Sequence, residues 1–170
     1  MEALRAEQPY PSLDGIGKDP AAVRILSPAY ADRESEMTAI LLYIYQSFLF
    51  RKAGMADYAD TLVRISLSEM MHLDTLGELI LQLGALPVYT SRPPRKFDFY
   101  STAAVSYETQ PEKMLEIDIR GEKNAIRGYE SMLGKLRSER IRAVIERIIL
   151  DEKLHLQTLE ELLRKLRGAK

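Results

Sequence analysis

The chain of 170 residues is nearly neutral, with 24 Lys and Arg against 25 Asp and Glu and a formal net charge of −1. Because the basic residues are spread along the chain, this balance gives no reason to expect a nucleic acid or an anionic membrane as a partner. The chain has no cysteine, which excludes disulfides, thiolate metal sites, iron–sulfur clusters and cysteine nucleophiles. Any metal would therefore have only oxygen and nitrogen ligands.

The chain also lacks a segment that suits a membrane or a secretion signal. Its most apolar run, residues 40–50, is too short to span a bilayer and contains Gln46 and Ser47. No charged segment followed by an apolar one opens the chain. We therefore expect a soluble, cytoplasmic protein with no membrane partner.

Residues 1–27 are rich in proline and glycine, which favours an irregular N-terminal arm with one helical turn near residues 21–26. Apolar periodicity and turn residues then predict four longer helices: A at 28–53, B at 55–83, C at 111–136 and D at 138–167. Pro28 suits a first helical turn, and Gly54 and Gly84 suit helix ends. Helix A is apolar on more than one side, so we expect part of it to contact another subunit.

The connections predict how these helices pack. The A–B and C–D turns are short, so each pair should form an antiparallel hairpin. Residues 84–110 contain several prolines and have no helical period. Extended, they reach at most about 90 Å, which exceeds the roughly 40 Å length of a 27-residue helix, so they can cross the whole bundle. The predicted fold is all-α: a four-helix bundle of residues 28–167, built from two antiparallel hairpins joined by a long crossover.

A repeated motif carries the two histidines of the chain. Residues 69–80 read EMMHLDTLGELI, and residues 152–163 read EKLHLQTLEELL. On a helix, a Glu and a His three residues apart lie on one face with Cβ atoms about 5–6 Å apart, so each pair can reach one ion. The alternative is two amphipathic helices with core histidines, but Glu and His are seldom buried without partners.

A second repeat joins helices A and C, because residues 36–43 and 122–129 both read E-x-x-A-I-x-x-Y. The chain is thus a duplicated hairpin, and each half supplies one Glu and one Glu-x-x-His. This set predicts a two-metal site in the bundle core, where four carboxylates balance two divalent ions. The predicted ligands are Glu36, Glu69, His72, Glu122, Glu152 and His155.

Three further residues lie close to this predicted site. Asp118 is one helical turn before Glu122 and could bind metal in its place, but the repeat favours Glu122. Tyr43 and Tyr129 lie two turns beyond their glutamates and should point inward near the ions. There a phenol can donate a hydrogen bond or an electron, which makes both tyrosines candidate catalytic residues. Core packing alone is the alternative role.

With the helix order, these residues resemble the ferritin-like superfamily, which includes rubrerythrin, bacterioferritin and the manganese catalases. The resemblance implies a ferritin-like bundle that holds two Fe or two Mn ions. It implies that Glu36 and Glu122 each bind one ion, that Glu69 and Glu152 bridge both, and that His72 and His155 each cap one.

The resemblance also concerns the residues beside the ligands. It implies that an acidic residue directly before the Glu of each Glu-x-x-His motif orients the histidine of the other motif. Asp151 fits this role for His72. Ser68 departs from this pattern, which leaves the support of His155 open. Met70 lies where bacterioferritin would suggest a haem ligand, but it should point away from the site, and we favour packing over haem.

Three functions agree with this set of ligands. The first is an oxidoreductase that acts on hydrogen peroxide, of the rubrerythrin-like peroxidase or manganese catalase type. The second is a ferroxidase or iron-binding ferritin-like protein, and the third is a non-catalytic bundle with structural metal. We expect hydrogen peroxide or dioxygen as substrate and a homodimer formed through helices A and B. With no rubredoxin domain, any electron donor would be external.

Overall fold

The computed structural model describes residues 1–93 and 99–168 and is nearly all helical. Its α-helices in that part are α1 (Pro20–Ala31), α2 (Glu36–Lys52), α3 (Ala56–Gln82), α4 (Pro111–Leu133) and α5 (Glu139–Gly168). A short 3-10 helix, Thr102–Ala104, and an isolated bridge between Thr90 and Phe99 lie between α3 and α4. No helix among the described residues is both long and apolar enough to cross a bilayer.

Helices α2 and α3 pack along each other, as do α4 and α5, so the predicted all-α bundle of two hairpins is confirmed. Glycine makes the first hairpin turn possible, because Gly54 has a φ of +76° after α2. The Met55 N–H then returns to the Phe50 carbonyl at 2.9 Å and ends the helix. Gly84, with a φ of +89°, ends α3 in the same way. Of the predicted crossover, residues 94–98 lie outside the described residues.

The prediction that a helix begins at Pro28 was wrong. Pro28 lies inside α1, which begins at Pro20 because Asp19 caps it by accepting the N–H groups of Ala21 and Ala22 at 2.9 and 3.0 Å. Helix α2 begins only at Glu36. Between the two helices, the Asp32 carbonyl accepts the Ser35 hydroxyl at 2.7 Å instead of continuing the helix. The single helical turn expected near residues 21–26 of the arm is thus part of a longer helix of 12 residues.

The first residues of the arm lie across α3 and α5. The Leu4 N–H donates to the Arg64 carbonyl of α3 at 3.0 Å. The Arg147 side chain of α5 donates to the Gln8 carbonyl at 2.6 Å, and its guanidinium lies 4.3 Å from the centre of the Tyr10 ring. The arm is therefore hydrogen-bonded to the bundle on its α3–α5 side.

Buried apolar side chains of the described residues form two clusters inside the bundle. One joins α1 to the C-terminal half of α3 and the N-terminal half of α5, and includes Leu26, Leu79 and Ile145. The other joins α2 and α4 to the opposite ends of α3 and α5, and includes Phe50 and Leu62. Buried carboxylates and histidines lie in the same helices between the segments that form these clusters. The buried polar side chains thus lie between the two apolar clusters, with one cluster on each side along the bundle axis.

Candidate metal centre

The structure brings all six predicted ligand residues together in the bundle core. Each helix of the bundle contributes: α2 and α4 supply one Glu each, and α3 and α5 each supply a Glu and a His. All six residues are buried, and none is more than 4% exposed. The six are Glu36, Glu69, His72, Glu122, Glu152 and His155.

The six residues form two groups of four, and in each group the donor atoms lie within 4.8 Å of one another. One group contains Glu36 and His72, and the other contains Glu122 and His155. Glu69 and Glu152 belong to both groups. Two carboxylates can therefore reach both positions, while each position has one further carboxylate and one imidazole of its own.

The first group has the spacing of ligands around one ion. The Nδ1 atom of His72 lies 2.9 Å from Glu69 Oε2, 3.1 Å from Glu152 Oε1 and 3.4 Å from Glu36 Oε2. Around an octahedral ion, each ligand atom lies about 2.1 Å from the metal. Neighbouring ligand atoms, at 90° to one another, are then roughly 3.0 Å apart. The observed distances between the donor atoms therefore fit a bound divalent ion.

The second group contains buried donor atoms with no partner. The Nδ1 atom of His155 lies 3.0 Å from Glu69 Oε1 and 3.9 Å from Glu122 Oε2. Within residues 1–93 and 99–168, His155 Nδ1 and Glu69 Oε1 accept or donate no hydrogen bond. A buried polar atom without a partner costs about 1–3 kcal/mol. An ion between these atoms would remove that cost, so the carboxylate–histidine cluster fits a metal site.

The electrostatics of the cluster lead to the same conclusion. Burial and, after it, the charge of Glu69 together raise the pKa of Glu36 to about 8 and that of Glu152 to about 7. Burial also opposes the ionisation of Glu69, but attraction to His155 and His72 keeps the pKa of Glu69 well below its usual range. Without a metal, the cluster thus holds protons on some of its carboxylates. Divalent cations would replace those protons.

Each histidine uses its outer nitrogen for a hydrogen bond away from the cluster. His72 Nε2 donates to Asp151 Oδ2 at 3.1 Å, which agrees with the role expected of Asp151. His155 Nε2 donates to the backbone carbonyl of Leu4 at 2.8 Å. In both rings Nδ1 faces the carboxylates, so Nδ1 is the atom that would bind a metal.

The contribution of Leu4 could not be identified from the sequence, which left the support of His155 open. Ser68, the residue before Glu69, is buried, and its hydroxyl makes no hydrogen bond to any described residue. A backbone carbonyl has no sequence signature, because every residue carries one. The missing acid at position 68 was the available signal that another group must take this role.

The two predicted tyrosines lie beside the cluster and connect its halves. The Tyr43 hydroxyl of α2 donates to Glu122 of α4, and the Tyr129 hydroxyl of α4 donates to Glu36 of α2. Burial, followed by the charge of the bonded glutamate, raises the pKa of both phenols well above its usual range. Both tyrosines therefore keep their protons and hold the two glutamates that the groups do not share.

A pocket of about 590 Å³ opens onto the cluster from the side of α2 and α4. Its inner wall includes the four glutamates and both tyrosines, while the small residues Ala39, Gly121, Ala125 and Gly128 line its flanks. Neither histidine lines this pocket. A small molecule can thus approach the carboxylates, whereas the histidines face the side that the arm covers.

Two other residues considered from the sequence lie outside the two groups. Asp118 is buried and lines the pocket, and its Oδ1 accepts the Gln46 side-chain amide at 2.8 Å. The groups contain Glu122 rather than Asp118, as the repeat favoured. Met70 is 41% exposed, so it points out of the core, as expected for a residue that follows a buried glutamate.

A four-helix bundle with two groups of carboxylate and imidazole donors that share two glutamates is the architecture of the carboxylate-bridged di-metal bundle proteins. Residues 31–169 match the family model of the ferritin-like domain. The chain belongs to this family, which confirms the superfamily inferred from its sequence.

Solved structures support the fold. The chain superimposes on wild-type KatB, a manganese catalase from Anabaena, with a TM-score of 0.81 and 20% identity, covering 95% of this chain and 79% of that one. The bacterioferritin BfrA of Mycobacterium tuberculosis gives 0.72 and 22%, covering 89% of each chain. The bacterioferritin of Rhodobacter capsulatus gives 0.72 and 23%, covering 91% and 90%. No curated protein sequence matches the chain.

Proposed function

We propose that the protein is a di-iron or di-manganese carboxylate oxidoreductase that acts on hydrogen peroxide. The observation that carries the proposal is the pair of buried donor groups that share Glu69 and Glu152 and open onto a pocket. A structural metal site is usually closed, whereas a catalytic site keeps an open position for substrate. Similarity to a manganese catalase adds support at the level of the fold.

The donor set suits redox-active metals of this kind. Four carboxylates and two imidazoles give only oxygen and nitrogen atoms, which favours manganese or iron over softer metals. Glu36 and His72 would hold one ion, Glu122 and His155 the other, and Glu69 and Glu152 both. When bound, two such ions would exchange two electrons with peroxide by changing their oxidation states.

The side chains of the protein prepare the site for a small polar substrate. Tyr43 and Tyr129 hold Glu122 and Glu36, the two glutamates that the groups do not share. The protonated hydroxyls of both tyrosines lie at the inner wall of the pocket. Apolar packing at both ends of the cluster limits water to the pocket side. Peroxide, which both donates and accepts hydrogen bonds, could therefore meet the cluster beside the phenols.

Peroxide and ferrous iron distinguish the candidate activities. The metal-free protein is loaded with Mn²⁺ or, without air, with Fe²⁺, and peroxide loss and oxygen release are recorded together. A catalase releases one O₂ for every two peroxides consumed. A peroxidase consumes peroxide without oxygen release and needs an added reductant, and a ferroxidase oxidises Fe²⁺ with dioxygen.

Matched variants connect any activity to the cluster. Glu69→Gln changes a glutamate shared by both groups, and Glu78→Gln makes the same chemical change at an exposed position of the same helix. We expect peroxide turnover by wild type and Glu78→Gln and almost none by Glu69→Gln. If neither metal gave peroxide turnover in wild type, the proposal would be wrong and a ferroxidase or structural role would replace it.

We also propose that the protein forms a homodimer through the outer surfaces of α2 and α3. Phe48 of α2 is 59% exposed and Met70 of α3 is 41% exposed, both large apolar side chains without cover. Light scattering of the purified protein should give twice the mass of one chain. Phe48→Glu should shift the protein towards monomer, and a monomeric wild type would contradict the proposal.

A further inference from the structure

The two histidines of the metal centre differ in what holds them. His72 donates through Nε2 to Asp151, a side chain of α5. His155 donates through Nε2 to the Leu4 carbonyl, which belongs to the N-terminal arm. The arm lies outside the four helices, so the ring of one histidine depends on a segment that the bundle itself does not contain.

The internal repeat explains why the arm is needed at this point. Asp151 precedes Glu152 and reaches the histidine of the other motif. The matching position before Glu69 is Ser68, whose buried hydroxyl bonds to no residue in the described part of the chain. A serine is shorter than an aspartate and carries no charge. The carbonyl of Leu4 accepts the hydrogen bond that a carboxylate accepts in the other half of the molecule.

The direction of this hydrogen bond fixes the form of the imidazole. A carbonyl oxygen can only accept, so the proton must be on Nε2 of His155. The lone pair of a neutral ring is then on Nδ1, which lies 3.0 Å from Glu69. Hydrogen bonds of this kind orient a metal-binding histidine, and their loss typically lowers metal affinity by about 10–100-fold.

We propose that the N-terminal arm is part of the metal centre, with the Leu4 carbonyl as the group that positions His155 for one of the two ions. The inference rests on the proposed metal centre and adds a difference between its two positions. The arm also contacts Asp151, through the Ala6 N–H at 2.6 Å and the Tyr10 hydroxyl at 2.7 Å. Without the arm, His72 Nε2 would still have Asp151 as its hydrogen-bond acceptor, whereas His155 Nε2 would have lost its acceptor.

Deletion of residues 2–5, which joins Met1 to Ala6, removes the Leu4 carbonyl but keeps the amide that bonds to Asp151. Calorimetric titration with Mn²⁺ should then show two ions bound by wild type. In the deletion variant, one ion should bind about 10–100-fold more weakly and the other should be unchanged. Adding Ser68→Asp to the deletion should restore most of the lost affinity, because it supplies the carboxylate that this half lacks.

Leu4→Ala separates the hydrogen bond from packing of the arm. The Leu4 side chain packs against the apolar cluster at that end of the bundle, so its loss lowers stability. The carbonyl stays in place, so both Mn²⁺ ions should bind with nearly wild-type affinity. Equal binding by wild type and the deletion variant would overturn the proposal, as would equal weakening of both ions. If wild type bound no Mn²⁺, the proposed function would fail instead.

A measurement on the full chain tests the same contact if the deletion variant does not fold. In the Zn²⁺-loaded protein, nuclear magnetic resonance should show the Nε2 proton of His155 protected from solvent and coupled across the hydrogen bond to the Leu4 carbonyl carbon. A proton that exchanges as fast as one in a free imidazole would contradict the role of the arm.

Discussion

Replacing Asp151 by Asn should weaken both the fold and metal binding. The Asp151 carboxylate is buried and accepts three hydrogen bonds, from His72 Nε2 at 3.1 Å, Tyr10 Oη at 2.7 Å and the Ala6 N–H at 2.6 Å. It also forms an ion pair with Arg147, whose Nη1 lies 2.8 Å from Oδ1. An amide is neutral and brings a donor where only acceptors fit. The buried Arg147 would also lose its anionic partner.

Loss of these contacts should lower the stability of the metal-free protein. Removing one partner of a buried ion pair costs about 3–5 kcal/mol. For a protein of this size each kcal/mol shifts the unfolding temperature by roughly 2–4 °C, so the metal-free variant should unfold about 6–20 °C below wild type. His72 would lose its charged acceptor, which predicts about 10–100-fold weaker binding of one Mn²⁺ ion.

Thermal unfolding followed by circular dichroism, together with Mn²⁺ titration, measures both effects. Asp74→Asn is the matched control, because Asp74 lies on α3 and is exposed. An exposed substitution of this kind should change stability by no more than about 0.5 kcal/mol. An Asp151→Asn variant that unfolds within about 1 °C of this control, or that binds both ions as wild type does, would contradict this role of Asp151.

Three further predictions concern the cluster itself. Glu69→Gln removes a ligand common to both groups, so dialysed protein should retain almost no Mn²⁺, whereas Glu36→Gln should retain about one ion; equal metal contents would argue against shared glutamates. Tyr43→Phe and Tyr129→Phe should each keep two ions but lose about 10–100-fold in peroxide turnover, because each frees the glutamate that its hydroxyl holds. Unchanged peroxide turnover would mean that both tyrosines serve only to pack the core. Chelation should lower the unfolding temperature of the loaded protein by about 5–10 °C, since an ion at a hundred times its Kd adds about 2.7 kcal/mol of stability; no shift would mean that no ion is bound in the fold.

The bundle could be predicted because its signals are local and repeated. Gly54 and Gly84 end helices where positive φ values are required, and the structure has those values at both. In each Glu-x-x-His motif, the Glu and the His are three residues apart and so lie on the same face of the helix, whatever the helix packs against. The convergence of six polar side chains then follows, because such groups cannot be buried apart from one another.

The remaining features depend on contacts that the sequence pattern does not contain. Pro28 favoured a helix start, but the Asp19 cap begins a helix earlier, and this proline is accommodated three residues before its end. The partner of His155 is a carbonyl, so the identity of Leu4 says nothing about it. The Leu4 carbonyl reaches His155 because of the path that the arm takes across α3 and α5, and this path is visible only in the structure.

Anomalous diffraction from crystals of the manganese-loaded protein would locate the bound ions themselves. We expect two manganese peaks in each chain, both bonded to Glu69 and Glu152, one next to His72 Nδ1 and the other next to His155 Nδ1. A single peak, no peak, or manganese bound at Asp118 instead would contradict this expectation.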